Sequence, residues 1–427
     1  MNKMYHLSTL LGLMALAISL SSCFKDECDS VQIFYRYDPV YLTEAQIRQN
    51  IEIAEPRELR DPGKIYFYQN YVLINEQYEG IHIIDNSDPA NPTPVSFVTI
   101  PGNIDLAVRG DILYADSYID LLSIDISNPR SPQFLSRSES VFPSLGFDPS
   151  RGHIVRYERT EVTREMPCNN NDFFFFQNDV LFARPEIANV DFAADAGGAR
   201  AQAALGVGGS LARFTLAKDH LYAVDQSNLN VFSLRNPQQP DKVNNVYIGW
   251  AIETIFPFGD NLFIGGRNGM FVMSNKDPRN PTMIGVFEHA NACDPVFVVD
   301  DVAFVTLRDG SDCENFTNQL DIVDMSNVAF PQLMHSFPMH HPIGLSVLGD
   351  HLYLCEDDQG LKVFEISDLS AIPQHQVAHL KGFTALDVIT LPSQEIALVV
   401  GRDGFYQFDI SDPLHIEELS FIPVAGE

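Results

Sequence analysis

A chain of 427 residues with 45% apolar side chains can bury a large core, and its length allows two or three domains or one repetitive all-β body. Its 27 basic against 57 acidic residues leave a net charge of −30 at pH 7, which repels phosphate backbones, and no basic groove interleaved with aromatics occurs. Nucleic acid is excluded as a natural partner on that ground.

The first predicted element is a targeting segment over residues 1–22. Lys3 precedes the apolar run LLGLMALAISL (Leu10 to Leu20), which is too short to span a bilayer and suits a signal-peptide core. It leads into LSSC (Leu20 to Cys23), which resembles the bacterial lipobox, so Cys23 is the expected lipidation site and new N-terminus. The following FKDE resembles the short surface-export signal of lipoproteins in the Bacteroidetes. The expected location is the outer membrane, held by the lipid and exposed at the cell surface, with a periplasm-facing orientation as the alternative. Residues 23–63 read as a lipidated spacer in which LTEAQIRQNIEI (Leu42 to Ile53) forms a short helix, with Thr43 and Gln46 as a capping box.

From residue 64 to 424 the chain repeats. GIHIIDNSDPANPTP (Gly80 to Pro94) returns as LLSIDISNPRSP (Leu121 to Pro132), QLDIVDMSNVAFP (Gln319 to Pro331), GLKVFEISDLSAIP (Gly360 to Pro373) and GFYQFDISDPL (Gly404 to Leu414), with weaker copies from Asn230 and Gly269. Most copies fall about 40 to 50 residues apart, the size of one propeller blade. Each unit reads as four short strands, A to D, separated by turn residues; the Asp-Pro element joins C to D, where proline pre-sets φ and the acid can close its own turn. Asp125 and Ser233 are 108 residues apart, so a degenerate third unit is expected at Leu145 to Met166, followed by a biased insertion at about 167–209. Its Ala and Gly suggest a flexible excursion, and Phe173 to Phe176 suggest that part of it packs on the body. The fold class is therefore an all-β propeller of four-stranded blades, eight if the degenerate unit counts and seven if it is absorbed. One tryptophan and no Trp-Asp pair argue against WD40 blades.

LDIVD (Leu320 to Asp324) resembles the pentapeptide of the LVIVD-repeat proteins, secreted or lipid-anchored β-propellers common in the Bacteroidetes. GIHIIDNSDP, LYADSYIDL (Leu113 to Leu121), IETIFP (Ile252 to Pro257) and ACDPV (Ala292 to Val296) resemble its longer blocks. The resemblance implies fold and location, and no activity.

Strands that alternate up and down put the D-to-A and B-to-C connections on one face, around the channel mouth, where propellers offer a concave site. The expected ligand-binding groups there are Asp105, Asp116, Glu253, Arg267, Asp294, Arg308, Asp357 and Arg402. Ligand or protein binding without chemistry is the leading reading, with a protein or a glycan as ligand. A hydrolase or lyase is the alternative, drawing on Glu253, Asp294 and His341. A cation such as Ca2+ would draw on Asp105, Asp116, Glu253 and Asp294. The remaining reading makes these charges salt bridges between blades. Cys293 and Cys313 map to the same mouth face of one blade and are expected to form a disulfide; Cys28, Cys168 and Cys355 have no assigned pairing.

Overall fold

The computed structural model describes residues 29–49, 51–167, 174–177, 180–183, 207–267, 269–288, 295–308 and 318–426. The chain divides into two units, one of residues 1–38 with 159–188 and one of residues 39–158 with 189–427.

In the smaller unit, the N-terminal strand pairs antiparallel with Val180–Ala183, Tyr35 opposite Ala183 and Tyr37 opposite Leu181. Val180–Ala183 pairs in turn with Phe174–Gln177. The Phe-rich stretch is thus built into a sheet. Phe34 and Tyr37 are buried, and the Arg159 guanidinium lies over the Tyr35 ring.

The larger unit contains seven antiparallel sheets with the A-to-D order expected of blades. Their A strands are Pro62–Tyr68, Leu106–Arg109, Phe214–Ala217, Ile252–Phe258, Val296–Val299, Leu345–Leu348 and Asp387–Leu391. Each A strand contacts the next, and the seventh returns to the first, which closes a ring. The pattern of the sequence explains the blades. B and C strands are buried on both faces between neighbouring sheets, as in Tyr71–Glu76 and Asp120–Asp125, so they read as nearly continuous apolar runs. D strands such as Gln332–Pro338 lie at the rim and are mostly exposed. In all seven sheets the C–D pairing slips by one residue at the same place, a bulge that strengthens the local twist. A glycine opens strand C in several blades because the D strand passes too close for a side chain: a Cβ on Gly80 (φ 146°) would stand 2.0 Å from the Val98 carbonyl oxygen.

Among the described residues the ring contains seven blades, the alternative to the expected eight. Residues Leu145 to Met166 do not form a degenerate blade: Gly146–Asp148 and Gly152–Pro167 make a two-stranded turn that belongs to a separate sheet with the N-terminal strand. The spacer also differs from expectation. It contains the strand Asp29–Leu42 and the rim strand Glu52–Ala54, and its helix is one turn, Glu44–Ile47, closed by the Thr43–Gln46 capping box.

The ring closes without exchanging a strand. Blade 7 is continuous in sequence, and side-chain amides join it to blade 1: Asn86 Nδ2 donates to Gln407 Oε1 at 2.8 Å, and Gln407 Nε2 donates to Asn86 Oδ1 at 2.7 Å. A parallel bridge between Leu59 and Val424 completes the seam.

Candidate functional site

The repeated Asp-Pro element is structural. Asp85 Oδ1 accepts the backbone N–H and hydroxyl of Ser87 at 3.1 and 2.7 Å, and Asp125, Asp324, Glu365 and Asp409 each accept the N–H two residues on at 2.8 to 3.0 Å. The serine hydrogen bonds hold the Asp85, Asp125, Glu365 and Asp409 carboxyls below their ordinary range, and the Ser326 N–H does the same for Asp324.

On the opposite face the chain closes its own channel mouth. Residues Val207 to Arg213, leading into strand A of blade 3, cross the innermost strands. Val207 and Gly208 pair with Phe67 and Tyr66 of blade 1. Ser210 donates its N–H and hydroxyl to Asp387 Oδ1 of blade 7 at 2.8 and 2.9 Å, and Leu211 N–H reaches Asp387 Oδ2 at 3.3 Å. The Leu345 N–H of blade 6 donates to the Ser210 hydroxyl, and Ile255 N–H of blade 4 donates to the Ala212 carbonyl at 3.0 Å. The Arg213 N–H donates to Asp105 of blade 2. Leu211 and Ala212 pack on Ile343 and Leu386. Five of the seven blades therefore hold this strap. Small residues are required in it: a Cβ on Gly209 would stand 2.0 Å from Asp387 Oδ2. Burial pushes the Asp387 carboxyl up to about 7, against the hydrogen bonds from Ser210 and Val388 and the charge of Lys64.

The sequence-selected charges are largely spent on the protein. Asp105 is buried and accepts from Arg213 N–H and Leu106 N–H; burial raises its carboxyl. Asp116 Oδ1 accepts from Ile104 N–H, Asp105 N–H and Asn103 Nδ2, each at 2.9 Å, and burial pushes its carboxyl up to about 6. Glu253 faces Arg267 at 3.6 Å within blade 4. Asp357 of blade 6 takes Arg402 of blade 7 in a two-point ion pair and His341 at 3.3 Å. Its carboxyl is half-buried, which alone would raise it, but the His341 and Arg402 contacts hold it well below its usual range. Arg308 begins the B-to-C loop of blade 5 as an isolated bridge residue, half-buried.

The structure therefore pairs Glu253 and His341 with different partners on different blades and does not assemble them into one catalytic set. Among the described residues no group of three or more His, Cys, Asp or Glu is arranged to hold a metal ion. Asp294, Cys293, Cys313, Cys23, Cys28 and Cys168 lie outside the described residues, and so do the lipidation and disulfide expectations. Cys355 is a buried free thiol.

A cleft of about 240 Å3 opens between the loops of blades 2 and 3. Ile119, Phe142, Leu145 and Ile154 give it an apolar wall, Tyr118 and Trp250 stand at it, and Arg156, Arg213, Asp225 and Asn228 supply polarity. Trp250, the only tryptophan of the sequence, is 75% exposed. Tyr118 holds a left-handed backbone (φ 57°), and its ring lies so close over Gly102 that a Cβ there would stand 2.3 Å from it. Asp225 has no spare capacity facing the cleft: it accepts from Ser227 N–H, Asn228 N–H and Nδ2, and Asn230 Nδ2 at 2.9 to 3.0 Å.

The LVIVD repeat model matches residues 60–99, 103–139, 315–338 and 343–373. The first two segments cover blade 1 and most of blade 2, beside the cleft. No curated protein matches the chain. Three solved structures share its fold at low identity. A candidate 6-phosphogluconolactonase from Bacteroides fragilis NCTC 9343 is 10% identical, with TM-score 0.52 and coverage of 87% of this chain and 97% of that one. A protein of unknown function from Desulfotomaculum acetoxidans DSM 771 is 11% identical, with TM-score 0.51 and coverage of 83% and 95%. The computationally designed Ika8 protein is 11% identical, with TM-score 0.50 and coverage of 86% and 88%. At these identities the likeness concerns fold alone. The chain thus carries LVIVD repeats in four segments, which fall in blades 1, 2, 5 and 6 of a β-propeller.

Proposed function

We propose that this protein is a lipid-anchored binding module, carried at the outer membrane through Cys23, whose ligand enters the cleft between blades 2 and 3 and undergoes no chemistry there. One observation carries the reading: Val207 to Ala212 cross the channel mouth, and among the described residues the cleft is a concave surface beside them. Binding is favoured over catalysis because the carboxylates lining the cleft, Asp105, Asp116 and Asp225, already accept protein N–H groups and offer no free base.

A thermal-shift screen of the mature chain with small glycans, organic acids and divalent cations tests this, since a ligand that binds only the native state raises its stability. A hit should be lost on filling the cleft by Gln226→Phe, at an exposed residue of its lining, and kept in Arg402→Met. A hit insensitive to the first substitution would place binding elsewhere. For the anchor, Cys23→Ala should move the protein from the membrane to the soluble fraction.

A further inference from the structure

Arg213 brings a buried, unpartnered donor to the cleft. Its backbone is fixed by the N–H to Asp105, so the side chain leaves the strap at a defined point. The Nε of its guanidinium is buried and has no partner among the described residues, and it forms no ion pair there. An unpaired buried donor is costly, and a native site that keeps one calls for an acceptor from outside.

The carboxylates nearby do not supply it. Asp116 and Asp225 have their oxygens on N–H donors of their own loops, and Asp105 holds the strap. Arg156, beside the cleft, pairs with Glu158 at 2.6 Å, where Glu158 is 59% exposed, and this solvent-screened contact is readily exchanged for another acceptor. The same cleft is lined by Ile119, Phe142 and Trp250, and by Tyr118, whose hydroxyl is hydrogen-bonded to Arg156.

We infer that the cleft takes a ligand with an oxyanion group, carboxylate or phosphate, on a flat apolar body, the oxyanion seated on Arg213 with Arg156 in support and the body against Phe142 and Trp250. This rests on the cleft being the binding site. Guanidinium is suited to it because its planar fork meets an oxyanion at two points. The cleft is fragment-sized, so one ring and one anionic group fill it.

Trp250 makes the test direct, because the protein has no other tryptophan and its emission reports this cleft alone. The intact mature chain is titrated with benzoate, phenyl phosphate and the neutral benzamide, with calorimetry as the second readout. Saturable binding of benzoate or phenyl phosphate is expected at roughly millimolar concentration or below, with benzamide at least about tenfold weaker. The better of the two anions identifies the oxyanion. Arg213→Met should abolish the difference between anion and amide, and Arg213→Lys should restore part of it; unchanged unfolding midpoints confirm that both variants fold. Equal binding of benzoate and benzamide would overturn the oxyanion inference and leave the cleft as a neutral-ligand site. No response to any of the three, with glycan hits that Gln226→Phe removes, would overturn it in the same way. No cleft-dependent hit of any kind would overturn both readings.

Discussion

Ser210 gives both its backbone N–H and its hydroxyl to one oxygen of Asp387, 177 residues away in sequence, and the same hydroxyl accepts from Leu345 N–H. This three-way contact seals the channel at the junction of blades 6 and 7. Ser210→Ala removes two of its hydrogen bonds and leaves a buried N–H and a buried carboxyl oxygen under-satisfied. A loss of about 1–3 kcal/mol is expected, read by denaturant unfolding. A change within a few tenths would mean that the strap is loosely held.

Asp387 sets a pH dependence. Its folded carboxyl titrates near 7, whereas the unfolded one titrates near 3.9. Between those values the native state holds a proton that the unfolded state has released. The contribution is therefore full below about pH 4 and is lost as pH rises through 7, on the order of a few kcal/mol. Asp387→Asn, which cannot ionise, should flatten the stability profile between pH 4.5 and 7.5. An unchanged slope would assign that dependence to another group.

Asp357 should act with the opposite sign. Its carboxyl is held low by His341 and Arg402, so its stabilisation is present at neutral pH and is lost as pH falls below the ordinary carboxylate range. Because Arg402 is 59% exposed, Arg402→Met should cost less than about 1 kcal/mol at neutral pH. It should leave cleft binding untouched, and a measurable loss of binding would revive the Asp357–Arg402 pair as a ligand site.

Asp120 is fully buried and accepts from Arg137 at 3.0 Å, Arg48 at 3.2 Å and Ser140 N–H at 2.7 Å. It ties the one-turn helix segment to blade 2. Asp120→Ala strands the Arg137 guanidinium, while Arg48 keeps Glu44 and Glu139, and should cost about 3 kcal/mol. Thermal unfolding of that variant within a degree of the parent would contradict the role.

Ring closure rests on the reciprocal amides of Asn86 and Gln407. A double-mutant cycle with Asn86→Ala and Gln407→Ala should return a coupling of about 1–2 kcal/mol, because either single change leaves the other buried amide without its partner. Additive effects would place closure on the Leu59–Val424 bridge instead.

What was legible and what was not divides on locality. The turn element around Asp85 repeats because each blade needs the same short-range hydrogen bonds, so its spacing alone marked the blades and its repetition identified the carboxylates as structural. The acid at the start of strand A was equally visible at Asp105 and Glu253. Asp387 stands at the same position before Val388 and passed unnoticed, although its alignment with Asp105 could have exposed it. The blade count was overstated because residues 145–166 have the alternation of strands, and alternation does not say which sheet a strand joins.

The sequence by itself determined the repeat, the all-β class and the structural use of the Asp-Pro turns, since these depend on residues a few positions apart. Only the tertiary structure decided that Val207 to Arg213 fills the channel, that Asp357 is spent on Arg402, and that Arg213 opens into a cleft beside Trp250. Those relations join residues tens to hundreds of positions apart, and they exist only once the closed ring brings the first strands of all seven blades to one mouth.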